Sequence, residues 1–232
     1  MMKIAIMQPY FFPNLGYIQL VNMVDKFVFY DDVNFKKSGW VARNRIISRT
    51  NPYQYFGIQL NRASQNKLIN EITIGNDSIK KLKTIKHIYS KAPFYNDIYP
   101  LIEKCLNSPV TSIAEMAAKS VVLVSDYLGI ETEFEFGSKR HANSKALGKA
   151  ERLISICKKE KATSYYNLSG GVGLYSQDFF KEFGIDLKFI ESKEVSYNQF
   201  EMKFIDNLSI IDVLMFNSVK NTKKLLDFIN LK

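Results

Sequence analysis

The order of apolar and polar positions divides the chain into alternating strand and helix patterns. Residues 3–8, KIAIMQ, form a continuous apolar run of the kind buried on both faces of a sheet. Across 16–25 the positions Ile18, Val21 and Val24 recur at helical spacing, with Leu20 beside them. KFVFYDD at 26–32 is again apolar, β-branched and aromatic, and predicts a second buried strand. Strand, loop, helix and strand within about 30 residues make a βαβ unit, so the two strands are expected to run parallel. Ligands of such sheets sit outside the carboxyl ends of the strands, which puts Gln8-Pro9 and Tyr30-Asp31-Asp32 on one rim.

Further along, RNRIISRTNPYQYFGIQL (43–60) reads as a hairpin turning at Thr50-Asn51-Pro52. Residues 77–129 change to a helical period in three blocks, the last ending at Gly129, a suitable helix-terminating glycine. ETEFEF (131–136) alternates as a strand does. A helix is expected over 144–160, a short strand over 162–167, a helix over 173–183 and a strand over 185–191. Residues 207–231 read as two more helices. The pattern predicts one α/β domain over 1–232, with a mainly parallel sheet, a Rossmann-like βαβ start and a helical lobe at about 77–129.

Composition narrows the class. With 232 residues, 46% hydrophobic and 24% charged, the chain can bury a substantial core. No apolar run approaches the ~18 residues that span a bilayer, and the start lacks a basic leader region, so a cytoplasmic protein without a membrane span is expected. Two Cys and two His provide neither a disulfide framework nor a zinc set, and no metal is assigned. Cys105 and Cys157 lie in helical patterns and read as buried thiols. His87 falls in a lysine-rich helix, and His141 in the basic loop GSKRHANSK (137–145), read as a solvated connection. The net charge is +9, but the lysines are spread along helix faces rather than gathered into an arm. That favours a phosphate-binding cleft over nucleic acid, with tRNA left open.

Three stretches carry candidate chemistry. In IAIMQPYFFPNLGYIQL a Pro-punctuated aromatic loop leads to Asn14-Leu15-Gly16-Tyr17 at a helix start. Strand, loop and helix resemble nucleotidylyltransferase-type domains, where His-x-Gly-His occupies that turn. Gly16 and the helix start remain suited to an anion, whereas Asn14 and Tyr17 lack the imidazoles of the usual adenylyl transfer. The second stretch, YDDVNFKKSGWVARNRI (30–46), gathers Asp31, Asp32, Lys37, Trp40, Arg43, Asn44 and Arg45. Adjacent acids point to opposite sides of extended backbone, so one is expected to face the site, and Arg43 and Arg45 share a strand face. The third, TSYYNLSGGVGLYSQDFF (163–180), places Ser169-Gly170-Gly171 after a strand, a turn whose amides can approach an anion closely. It has neither the Gly-Lys-Ser/Thr of a Walker loop nor Gly-x-Gly-x-x-Gly spacing.

These stretches, with KAPFYNDIYP (91–100) and YNQFEMKFIDNLSIIDVLMFN (197–217), resemble the WbqC-like proteins of bacterial polysaccharide gene clusters. The matching blocks run almost end to end. They include Gln8, Pro9, Gly16, Tyr17, Asp31, Asp32, Lys37, Trp40, Arg43, Asn44 and Arg45, and further on Tyr166, Gly170, Gly171, Tyr175, Tyr197, Gln199, Ser209 and Asp212. The resemblance implies work on O-antigen or other surface sugars, with amide formation on a nucleotide-linked amino sugar as the expected reaction. On that expectation Tyr10, Phe11, Tyr17 and Trp40 stack on rings, and Lys37, Arg43, Arg45 and the Ser169–Gly171 turn hold the diphosphate. Asp32, or Asp31, then acts as general base. The donor is expected to be an acyl-coenzyme A or aminoacyl group. The rivals are an ATP- and magnesium-dependent ligase or nucleotidyltransferase, and a non-catalytic nucleic-acid or partner-binding module.

Overall fold

The computed structural model describes residues 1–200 and 203–232. The chain begins with β1 (Lys3–Met7), α1 (Leu15–Asn22) and β2 (Lys26–Phe29), the expected βαβ unit. A hairpin of β3 (Arg43–Ile47) and β4 (Tyr53–Gly57) follows, then β5 (Leu60–Asn61) and β6 (Thr73–Ile74), a small antiparallel pair that the sequence pattern did not indicate. The helical lobe consists of α2 (Ser78–Tyr89), α3 (Tyr95–Leu106) and α4 (Ile113–Leu128). β7 (Glu133–Phe136), α5 (Gly137–Arg140), α6 (Lys149–Lys159), β8 (Ser164–Leu168), α7 (Gln177–Glu182) and β9 (Asp186–Ser192) continue the alternation. The last elements are α8 (Ile210–Phe216), α9 (Val219–Leu226) and β10 (Ile229–Leu231).

The main sheet has the order β10-β9-β8-β1-β2-β7, parallel throughout except for β10, which runs antiparallel to β9. Numbered along the chain, this is the 3-2-1-4-5-6 order of doubly wound folds. The first three strands step outward to one side, and β8 then returns to the other side of β1. The order reverses between β1 and β8, so their carboxyl ends diverge into a crevice.

Both sheet faces are covered, which explains the unbroken apolar strands. Ala5, Phe27 and Phe29 point toward α1 and the helical lobe, while Ile4, Ile6, Val28 and Tyr165 point toward α6 and α7. Local chemistry fixes the helix ends. Ser112 and Glu115 close a capping box at the start of α4, and Gly129 ends it in the left-handed region (φ 63°). Ser176, Ser209 and Ser218 cap α7, α8 and α9 through their hydroxyls.

Two expectations are corrected. Residues 229–231 form an edge strand rather than the end of a helix, with Ile229 paired to Ser192. The loop 137–145 is not a solvated connection. It folds into α5 and a turn that bury His141 and Ser144.

Candidate functional site

A cavity of about 990 Å³ opens at the reversal between β1 and β8. Its floor comes from the strand ends Ile6, Met7 and Gln8 on one side and Tyr165, Asn167 and Leu168 on the other. Asn14, Gly16 and Tyr17 at the start of α1, the turn Ser169–Gly171, and Tyr10, Tyr30, Trp40, Asn44, Arg45, Lys149, Tyr175, Glu191 and Asn207 complete its polar and aromatic wall.

The opening loop divides its aromatic residues between two tasks. Phe11 and Phe12 are fully buried, and Phe11 stacks on Phe56 at 5.9 Å. Tyr10 is left on the cavity wall, 5.3 Å from the Tyr17 ring, and the Tyr17 hydroxyl donates to the Gln8 carbonyl at 2.8 Å. Phe12 adopts a left-handed backbone (φ 39°), costly for a side chain of this size. Surrounding bonds hold it there. Ser120 Oγ accepts from its N–H at 2.8 Å, and its carbonyl accepts from Asn44 Nδ2 at 3.0 Å and Ser209 Oγ at 2.7 Å.

The cavity wall is suited to anions. Asn14 caps α1 by accepting from the Tyr17 N–H at 3.3 Å, and the helix start directs its remaining N–H groups and its dipole at the wall. Opposite lies the glycine turn. A Cβ on Gly171 would lie 2.7 Å from Asn167 Nδ2, so only glycine allows Asn167 this close, whereas a Cβ on Gly170 would meet nothing within 4 Å. Arg45 Nη2 donates to the Asn207 carbonyl at 2.9 Å, and its Nε is buried without a hydrogen-bond partner among the described residues. Burial raises the hydroxyl pKa of Tyr10, Tyr17, Tyr30, Tyr165 and Tyr175, so these phenols stay protonated donors.

Among the residues selected from the sequence, the structure brings Gln8, Tyr10, Gly16, Tyr17, Trp40, Asn44, Arg45, Ser169, Gly170, Gly171 and Tyr175 to this cavity. Others are placed elsewhere. Pro9 and Phe11 are buried beneath the loop, Tyr166 is buried on the helical-lobe face, and Lys37 is exposed. Arg43 lies over the Tyr55 ring at 4.4 Å. Gln199 donates to Asp212 at 2.8 Å and brackets Ile205 through its amide. Asp31 and Asp32 do not point apart as expected: both carboxylates come close to Gly137 and line a separate, smaller hollow, and neither lines the large cavity. Asp31 accepts from the Ser138 N–H and hydroxyl at 2.9 and 2.6 Å. Asp32 is held through both oxygens by Arg152, whose guanidinium also covers the Tyr30 ring at 4.5 Å.

Tyr30, expected at the rim, does line the cavity, whereas Lys149, Tyr165, Asn167, Glu191 and Asn207 on its wall were not picked out beforehand. The carboxyl-end rule applied to β8 and β9 would have found Asn167 and Glu191, since each stands at or next to a strand end. Glu191 is the carboxylate among the described residues of this wall, and it pairs with Lys232 at 2.7 Å.

A second polar cluster lies beside β2 and β7, outside the large cavity. His141 Nε2 sits 3.3 Å from Glu135 and 3.4 Å from Glu160, an arrangement with cation-binding spacing. The Lys26 ammonium already occupies it, 2.6 Å from Glu160 and 3.2 Å from Glu135, and these partners raise the Lys26 pKa despite burial. The two thiols are pushed up to about 12 by burial and are poor nucleophiles. No helix among the described residues is long and apolar enough to cross a membrane.

Comparison with known proteins agrees with the resemblance noted above. No solved structure matches. An uncharacterized protein of Mycobacterium tuberculosis (strain ATCC 25618 / H37Rv), Rv1507c, is 28% identical over 225 residues, covering 94% of each chain. The model of the WbqC-like protein family matches residues 8–224, spanning the cavity-forming loop, β8 with its glycine turn, and α8, and the chain therefore belongs to the WbqC-like protein family.

Proposed function

We propose that this protein binds a nucleoside-diphosphate amino sugar in the cavity between β1 and β8 and forms an amide on the sugar amine. The observation carrying this reading is the composition of one wall. A helix start, a glycine turn and the cations Arg45 and Lys149 face a space lined by Tyr10, Trp40 and Tyr175, with Tyr17 fully buried behind Tyr10. The first group suits a diphosphate and the second suits a base and a sugar ring. The family's link to surface polysaccharides supports the sugar.

In the reaction the amine nitrogen attacks the carbonyl carbon of an activated acyl group. A C–N bond forms, the bond from that carbon to the donor's leaving atom breaks, and the leaving atom departs with the electron pair. Glu191 takes the proton released by the amine, being the wall's carboxylate, and the leaving group ultimately receives it. Protonated phenols of Tyr30 and Tyr175, with the Asn167 amide, supply donors for the oxyanion. Asp32, with both oxygens held by Arg152, is assigned a positioning role through Tyr30 rather than that of the base.

Calorimetric titration with UDP-, GDP- and dTDP-linked amino sugars tests the binding, and mass spectrometry of mixtures with acyl donors tests the chemistry. One nucleotide sugar should bind, and Arg45→Ala should weaken it about tenfold, the cost of one charge-assisted contact. Absence of binding by every nucleotide sugar would overturn the proposal. ATP-dependent pyrophosphate release would replace transfer with ligation.

A further inference from the structure

Arg45 separates the large cavity from a second hollow of about 500 Å³, whose walls include Arg45, Arg49, Tyr53, Lys203, Phe204 and Asp206. Three cations face one acid here, so the hollow selects an anion. Two aromatic side chains, Tyr53 and Phe204, add surface for a planar ring. The Arg45 guanidinium lies 4.9 Å over Tyr53 and 5.7 Å from Trp40, tying the hollow to the rim of the cavity. Arg49 is oriented by donating to the His87 carbonyl at 2.6 Å. The volume lies within the ~300–1,000 Å³ of small-molecule sites.

We propose that this hollow is the donor subsite and holds the adenosine phosphate portion of an activated acyl donor. This rests on the amide-transfer reading, which requires two substrates side by side. Two common activated acyl donors, coenzyme A thioesters and acyl adenylates, both present a purine with phosphate. Arg45, reaching both spaces, sets the donor's acyl end at the mouth of the cavity where the amine lies.

The test is calorimetry on the full chain with adenosine 3′,5′-bisphosphate and AMP, each run with and without saturating UDP, GDP or dTDP. An adenosine probe should bind alongside the nucleoside diphosphate without competition. Arg49→Ala and Tyr53→Ala should each weaken it about tenfold, and Arg49→Ala, at a position outside the large cavity, should leave the diphosphate affinity unchanged. Tighter binding of the bisphosphate identifies a coenzyme A donor, and equal binding identifies an adenylate. Competition between the two ligands overturns the proposal. So does insensitivity to both variants, or failure of both adenosine probes where a nucleoside diphosphate binds. Failure of every nucleoside diphosphate instead removes the reading of the large cavity.

Discussion

Arg152 Nη2 stands 2.7 Å from both carboxylate oxygens of Asp32, across 120 residues of sequence, with both side chains almost fully buried. The pair joins the end of β2 to α6. Removing one partner leaves the other charge stranded in a low-dielectric site, a loss of about 3–5 kcal/mol, whereas removing both together costs much less. Asp32→Ala should therefore lower stability by that amount in urea unfolding, and Asp32→Leu with Arg152→Met should recover most of it. A double variant no more stable than Asp32→Ala would refute the pairing. In the folded double variant, turnover should fall more than nucleotide-sugar affinity, because Tyr30 loses the guanidinium above its ring.

The two glycines of the 169–171 turn should separate in their response. Gly171→Ala drives a methyl group to within 2.7 Å of Asn167 Nδ2, and the strain should cost about 1–3 kcal/mol. Gly170→Ala meets no atom within 4 Å and should unfold at the wild-type temperature. Thermal unfolding of both variants checks this, with equal melting temperatures as the adverse result.

Asp212 accepts from Tyr89, Tyr197 and Gln199 at 2.8, 2.9 and 2.8 Å, yet burial without a cation pushes its carboxyl up to about 6. A folded-state value raised above the unfolded one favours the folded state at low pH, and that advantage is lost as pH rises through about 6. Between pH 4 and 7 the wild type should thus lose about 3 kcal/mol relative to Asp212→Asn, from a shift of roughly two pH units. Parallel urea titrations at several pH values measure the difference, and a constant gap between the proteins would disprove the assignment.

Cys105 and Cys157 are buried, with thiols pushed up to about 12. Neither should react with iodoacetamide at pH 8 in the native protein, and both should react once it is unfolded. Serine or alanine at either position should leave turnover in place. Rapid native labelling would reopen a covalent mechanism.

Much of the frame was legible because it rests on period and composition. β1 and β2 are apolar at every central position, and α2 to α4 keep a helical repeat over 77–129, so local patterns decide both. The carboxyl-end rule pointed to Gln8 and Tyr30, which line the large cavity, and to Asp31 and Asp32, which do not. What stayed hidden depends on distant partners. Asp32 looked free because Arg152 lies 120 positions away, and Glu135 and Glu160, which enclose His141, come from other elements. β10 is three residues long and owes its strand form to pairing with β9, which no local pattern encodes.

The Phe12 carbonyl gathers donors from the hairpin and from the cap of α8, almost two hundred residues downstream. During synthesis the opening loop emerges early but lacks Ser209 until nearly the whole chain has been made. Its left-handed turn is consequently among the last features to be locked. A fragment released before residue 209 would contain Ser120 and Asn44 but lack the Ser209 bond, so the rim gains its last anchor only when synthesis is almost complete.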